Sequence, residues 1–192
     1  MKIFSLQFAL FIGICFSPFS QTSFSQDFNK TEFYEFRDNQ YKFTFLYPKS
    51  YMIAPIRYTN NRFNIVSYYG QEKEEVIVNV QEIQYADACS PKEFVRFLNN
   101  TKMIENNFKD IYLKCKIIEN GTTTISNQTA YFIISSYMDT SLGVERQMNQ
   151  ILVQTINKNY VYTLYARTTN QDKFSELLSL FNYLQSSFWI YS

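Results

Sequence analysis

The feature that most constrains the fold is a single clear helix start. Much of the remaining sequence alternates between apolar and polar residues, as half-buried β-strands do. The segment Ser90-Pro91-Lys92-Glu93 places serine before the first turn, proline at its first position and glutamate three residues after the serine. This is the capping-box pattern, in which the serine and the glutamate each satisfy a backbone N–H group of the other. An apolar stripe follows it, so the sequence predicts a helix that begins at Pro91 and fades near Asn106.

Segments with the period-2 alternation of half-buried strands lie on both sides of this helix. Polar or glycine-containing segments separate them, and we predict turns at 70–75 and at Asn120-Gly121. Apolar residues at helical spacing near the end of the sequence predict a second helix. The predicted strands cover 33–37, 41–47, 63–69, 76–81, 111–117, 130–138, 144–156 and 160–167, and the closing helix covers 174–184.

The order of these elements predicts the fold class. Hairpins come first, then one helix, then an antiparallel meander, then the closing helix. Helices that interrupt antiparallel strands in this way are typical of α+β domains. We therefore predict an antiparallel β-sheet with two helices packed on it.

The first 25 residues read as a secretory signal peptide. Lys2 precedes an apolar run, 3–16, which is shorter than the roughly 20 residues of a membrane-spanning helix. Ser23 and Ser25 fit the small-residue pattern that signal peptidase accepts. Ile14 before Cys15 argues against lipidation. The sequence thus predicts a signal peptide at 1–25 and a single domain at 26–192, exported to the periplasm or secreted, with membrane contact only through the transient signal.

The charge and the residue types present exclude several functions. The chain has no histidine, which excludes Ser/His/Asp and Cys/His catalysis and histidine-ligated metal sites. It has 18 basic residues, of which one is Lys2, against 17 acidic ones, so the predicted domain is neutral. A neutral domain lacks the basic surface that nucleic acid requires. We expect no cofactor, no metal, no catalytic residues and no nucleic-acid partner.

Two cysteines remain in the predicted domain, Cys89 just before the first helix and Cys115 in the strand after it. In an oxidising compartment an isolated pair is a candidate disulfide. A helix of ~21 Å followed by ~20 Å of returning strand would bring both to one level of the helix–sheet interface. Two buried free thiols are the alternative.

Two further groups of residues are candidate binding sites. Tyr58, Tyr68, Tyr69 and Tyr85 could line an aromatic groove for a peptide or glycan, although packing on strand faces explains most tyrosines in so aromatic a chain. The acidic residues within 72–75 suggest calcium, but they lack the spacing of a calcium loop, so we interpret them as a solvated turn.

Three stretches give the chain a resemblance to a known family. They are Tyr41-Lys42-Phe43-Thr44-Phe45-Leu46-Tyr47-Pro48, Asn127-Gln128-Thr129-Ala130-Tyr131, and the strand and helix from 160 to 188. Together they resemble the PsbP-like family (PsbP/DcrB type) of small exported α+β domains. The chain departs from the family at Asn127, where glycine is usual, and in having no histidine. The resemblance implies no catalytic residues and an accessory or binding role.

We therefore predict an exported, non-enzymatic binding or accessory protein of the cell envelope, whose partner is another envelope protein or a small ligand. One alternative is a hydrolase of envelope glycans, or a subunit of such an enzyme, that uses two carboxylates, with Glu82, Asp87, Asp139 and Glu145 available. The other alternative is a structural assembly domain that dimerises through a strand edge.

Overall fold

The computed structural model describes residues 33–56, 61–69, 72–83, 89–140 and 143–191. These residues form ten strands and three helices. The strands are β1 (Phe33–Asp38), β2 (Phe43–Pro48), β3 (Met52–Ile53), β4 (Asn61–Tyr69), β5 (Glu72–Glu82), β6 (Leu113–Ile125), β7 (Gln128–Asp139), β8 (Arg146–Asn157), β9 (Tyr160–Thr168) and β10 (Trp189–Ile190). The helices are α1 (Pro91–Thr101), α2 (Met103–Ile111) and α3 (Phe174–Ser187). The predicted α+β class is confirmed, with three helices rather than two.

Seven strands form one antiparallel sheet in the order β3-β4-β5-β9-β8-β7-β6. Successive side chains of a strand point to opposite faces, so the sheet has two distinct sides. We call the side that carries Val76, Val78 and Leu164 the core face, because α3 packs on it. We call the opposite side the helix face, because Tyr131 and Ile133 lie there under α1 and α2.

A second sheet of three strands, in the order β1-β2-β10, closes over the core face. Its β2 directs Phe43 and Phe45 inward, where both rings stack on Phe188 at centroid distances of 5.2 and 5.7 Å. These rings are almost fully buried together with Leu177 and Phe181 of α3. Burial of aromatic and aliphatic side chains on this scale provides the main favourable free energy of folding.

The predicted start of α1 is confirmed in detail. The Ser90 hydroxyl accepts from the backbone N–H of Glu93, and the Glu93 carboxylate accepts from the backbone N–H of Ser90 at 2.9 Å. The predicted end is wrong, because helical structure continues to Ile111 after a break at Lys102, whose φ of 50° is left-handed. Ile111 accordingly ends a helix rather than beginning a strand.

The predicted turn at Asn120-Gly121 is also wrong. Both residues lie inside β6, and Gly121 stands opposite Phe132 of β7. A Cβ on Gly121 would come within 3.0 Å of the Phe132 ring, so this glycine makes room for an aromatic neighbour instead of forming a turn. The hairpin turn lies at Ser126 and Asn127, which both have positive φ, as a two-residue type I′ turn requires.

Among the described residues, no helix combines the length and the apolar character needed to cross a membrane.

Candidate functional site

Four polar residues stand in register across the helix face of the large sheet. Glu75 of β5 is opposite Arg167 of β9, Arg167 is opposite Gln150 of β8, and Gln150 is opposite Ser135 of β7. We call these four residues the polar row. The Gln150 amide donates to the Ser135 hydroxyl at 3.1 Å. Polar side chains in the middle of a sheet must find partners, and here they find them across the strands.

Glu75 is the centre of a charge network that also includes Arg167 and Lys73. Its Oε2 accepts from Arg167 Nε at 2.7 Å and lies 2.6 Å from Arg167 Nη2, and its Oε1 lies 2.9 Å from Lys73 Nζ. The Asn64 amide also donates to Oε1 at 3.2 Å. The Glu75 side chain is 5% exposed, whereas those of Lys73 and Arg167 are 32% and 31% exposed. The carboxylate is therefore buried, and its two cations reach solvent.

These contacts fix the ionisation of the network. Burial raises the pKa of Glu75, but the charges and hydrogen bonds of Arg167 and Lys73 outweigh it, so this pKa lies below its usual range. Burial lowers the pKa of Arg167, but the neighbouring Glu75 carboxylate more than compensates, so this pKa is raised. With Lys73 also cationic, the network carries one net positive charge at neutral pH.

Three tyrosines surround the cationic side of the network. The rings of Tyr112 and Tyr137 stack with centroids 4.0 Å apart. Tyr165 precedes Arg167 by two residues in β9, so both side chains are on the helix face. Burial raises the pKa of Tyr137 to about 12, although the Arg167 charge acts in the other direction. Burial likewise raises the pKa of Tyr165. Both phenols therefore keep their protons and are neutral hydrogen-bond donors.

Within the described residues, two buried polar groups of this region are incompletely satisfied. The Tyr137 side chain is 4% exposed, and burial raises the pKa of its hydroxyl while Arg167 opposes this through its charge and a hydrogen bond, but the hydroxyl proton has no acceptor in the described part of the chain. Oδ1 of Asn64, whose amide nitrogen donates to Glu75, has no donor there either. Buried polar atoms are rarely left unpaired, because desolvation without a partner costs about 1–3 kcal/mol.

A second buried carboxylate lies on the other face of the same strand. Glu74 follows the core face, where its Oε2 accepts from the Tyr51 hydroxyl at 2.6 Å. Both glutamates therefore lie within β5, and the predicted solvated turn at 70–75 is wrong from Glu72 onward. The acidic run suggested a turn because sequence alone does not show that Arg167, Lys73 and Tyr51 neutralise or satisfy it.

The predicted aromatic groove is only partly within the described residues. Tyr68 and Tyr69 lie in β4, and Tyr58 and Tyr85 lie outside the described residues. The groove stays a prediction.

The structure does not bring the two cysteines together. Both are free thiols. Cys89 packs against Ile156 and Val161 at one end of the sheet, while Cys115 lies in β6 at the level of Met138, toward the other end. About eight residues of strand, or roughly 25 Å, separate these levels. The disulfide stays a prediction, and this separation argues against a bridge within one chain in this fold.

Of the carboxylates proposed for hydrolysis, Asp139 and Glu145 lie near the turn between β7 and β8, and Glu82 lies at the opposite end of the sheet. Glu82 and Glu145 are exposed, and Glu145 pairs with Lys114 at 3.5 Å. Asp139 stands opposite Arg146, and Asp87 lies outside the described residues. Within the described ranges, no group of three or more acidic or cysteine side chains is close enough to hold a metal ion.

One signal in the sequence pointed to the charge network. Arg167 follows an apolar run, 161–166, that predicts a buried strand, and a charge at the end of such a run needs a partner. The partner could not be identified, because Glu75 lies 92 residues earlier in the sequence.

Comparisons with known proteins agree with this architecture. The PsbP family model matches residues 31–190. Among curated proteins, none matches the chain. The solution structure of cyanobacterial PsbP (CyanoP) from Synechocystis sp. PCC 6803 is similar, with a TM-score of 0.56 and 17% identity over 85% of this chain and 95% of that one.

Two further solved structures share the fold at lower identity. LpqN of Mycobacterium tuberculosis, described as involved in cell envelope biogenesis, has a TM-score of 0.56 and 12% identity over 83% of this chain and 91% of its own. The Ran-binding protein Mog1p of Saccharomyces cerevisiae has a TM-score of 0.52 and 12% identity over 82% of this chain and 95% of its own. At these identities the likeness is one of fold.

Proposed function

The chain belongs to the PsbP family, and from that premise we propose that it is an exported, non-enzymatic binding or accessory protein of the cell envelope. The observation that carries the proposal is the charge network. Its only carboxylate, Glu75, is buried and paired, while the side chains of its two cations, Lys73 and Arg167, are each about a third exposed. Such a surface presents hydrogen-bond donors to a partner.

The residue types at this surface support binding. Arginine and tyrosine are over-represented among the residues that dominate the energy of protein interfaces. Arg167 is held in place by Glu75, so it loses little side-chain entropy when a partner binds. A rigid, partly exposed arginine between tyrosines therefore favours recognition.

The arrangement of carboxylates does not favour the hydrolase alternative. Glycoside hydrolysis needs two carboxyl groups about 5–9.5 Å apart on the two sides of one bond. The two carboxylates that are buried in the described residues, Glu74 and Glu75, are neighbours in β5 and point to opposite faces of the sheet.

Two proteins that share this fold support the same proposal. LpqN is described as acting in cell envelope biogenesis, and Mog1p as binding Ran. The first connects the fold with the envelope, and the second connects it with recognition of a protein.

Capture of a partner from the envelope tests the binding role. We expect the tagged full-length chain, expressed in its own host and cross-linked, to recover one envelope component reproducibly. Lys73→Met removes an exposed cation of the network and should reduce that recovery several-fold. Lys92→Met, which removes an exposed lysine on α1, is the matched control and should leave the recovery unchanged. Hydrolysis of envelope glycan without any recovered partner would contradict the proposal.

Export is tested separately by cell fractionation and N-terminal sequencing. We expect the protein outside the cytoplasm, with Gln26 as its first residue. A chain that keeps its first 25 residues in the cytoplasmic fraction would refute export while leaving the binding role open.

A further inference from the structure

The cationic side of the charge network has more hydrogen-bond donors than acceptors. A guanidinium has five N–H groups, and Glu75 contacts Arg167 through Nε and Nη2 only. Tyr137 adds a buried hydroxyl whose proton has no acceptor within the described residues. Its raised pKa keeps the proton on this hydroxyl at neutral pH.

The cross-strand register places Lys73 and Tyr137 at one level of the helix face, on the two sides of Arg167. Thr168 of β9 is paired with Glu74 of β5 on one side and with Asn149 of β8 on the other. One level further along these strands, Lys73 lies next to Glu74 in β5 and Met148 lies next to Asn149 in β8. Met148 is opposite Tyr137 of β7. Lys73 and Tyr137 therefore flank the same level of the helix face, and Arg167 lies between them, close enough to affect the pKa of Tyr137. The stacked ring of Tyr112 adds an apolar wall on the Tyr137 side.

We propose that Arg167, Lys73 and the Tyr137 hydroxyl form a binding site for an oxyanion, the carboxylate or phosphate group of a small ligand. The site rests on the proposed binding function and names the chemistry of what is bound. An anion suits it for two reasons. Glu75, Arg167 and Lys73 together carry one net positive charge, and the Asp139 carboxylate near Tyr137 stands opposite Arg146. Arginine, lysine and a neutral phenol all donate hydrogen bonds to an anion's acceptor oxygens.

Titration of the purified protein with two simple oxyanions tests the site. Sodium acetate and inorganic phosphate are added in separate series, with the ionic strength held constant by sodium chloride. The readouts are the NMR signals of the Arg167 Nε–H group and the Tyr137 backbone amide. We expect saturable shifts in at least one series. Saturation by acetate alone identifies a carboxylate site, and saturation by phosphate alone identifies a phosphate site.

Two tyrosine variants decide whether the effect is specific. Tyr137→Phe should weaken the fitted Kd about tenfold or more, because it removes a hydrogen bond to a charged acceptor. Tyr131→Phe is the matched control, since Tyr131 is a buried tyrosine on the same face of β7, six residues or ~20 Å away. It should leave the Kd unchanged. Shifts that stay linear in both series, or a Kd unaffected by Tyr137→Phe, would overturn the proposal.

Folding does not confound this test, because Tyr137→Phe removes a hydroxyl whose proton has no acceptor within the described residues. Its thermal midpoint should be equal to or above that of the unaltered protein. Lys73→Met provides a second readout and should weaken the same Kd several-fold. If the titrations fail while partner capture remains sensitive to Lys73→Met, the oxyanion site is refuted and the binding function stands.

Discussion

Glu75 is the residue whose ionisation most affects the interior of the large sheet. It is buried, and two cations and one amide converge on its two oxygens. Removing a buried partner of this kind leaves the remaining charges incompletely paired, which is costly, whereas exposed pairs contribute little. The exposure of about a third of Lys73 and Arg167 moderates the cost, since water can solvate both cations.

We predict that Glu75→Gln lowers the free energy of unfolding by about 1–3 kcal/mol at pH 7. The folded-state pKa of Glu75 is depressed, so its stabilisation is complete well above the unfolded-state pKa and is lost as pH falls through the folded-state value. The difference between variant and unaltered protein should therefore shrink from about pH 5 downward. Urea denaturation at several pH values measures both effects.

The control is Glu176→Gln, which disrupts an exposed pair with Lys173 on α3. Its stability should follow that of the unaltered protein at every pH. Equal behaviour of the two glutamate variants would show that the charge network does not stabilise the sheet.

At the scale of single elements, the turn between β6 and β7 has a backbone conformation that depends directly on the residue types at its two central positions. Ser126 and Asn127 have φ values of 50° and 59°, a region that L-residues adopt at a cost and asparagine tolerates best after glycine. The Ser126 hydroxyl also accepts from the backbone N–H of Ile190 at 2.8 Å, so the turn is linked to β10. Asn127 thus holds a left-handed backbone that glycine would adopt without the penalty of a Cβ atom.

Two substitutions at Asn127 should change stability in opposite directions. Asn127→Gly should be neutral or stabilise by up to about 0.5 kcal/mol, because glycine suits the second position of a type I′ turn. Asn127→Val should destabilise by about 1–2 kcal/mol, because a β-branched residue is strained at positive φ. Thermal unfolding of both variants checks this, and a valine variant as stable as the glycine variant would rule out a left-handed residue 127.

The elements also show where prediction from sequence succeeds and where it stops. The start of α1 was predicted because Ser90 and Glu93 act within four residues. The turn at Asn120-Gly121 was mispredicted because its local preference yields to pairing with β7 and to the ring of Phe132. The charge network was missed because its partners come from strands far apart in sequence.

For the whole molecule, the aromatic core joins the two sheets and α3. Phe188 lies between them, 2% exposed, while the next residue, Trp189, points outward and is 50% exposed. Phe188→Ala should lower the free energy of unfolding by about 3–5 kcal/mol, since it leaves a cavity against Phe43 and Phe45. Trp189→Ala is the adjacent control and should cost much less. Equal losses in a denaturation experiment would mean that the small sheet does not share the core.

The three-stranded sheet also determines the order in which the domain is completed. In it, β2 is bonded both to β1, a few residues before it, and to β10, and the Leu46 backbone N–H is held by the Ser187 hydroxyl, 141 residues later. The small sheet is therefore incomplete until α3 and β10 are present. Under the export that we propose, the domain would complete its folding only after the C-terminal strand has crossed the membrane, when β10 pairs with β2.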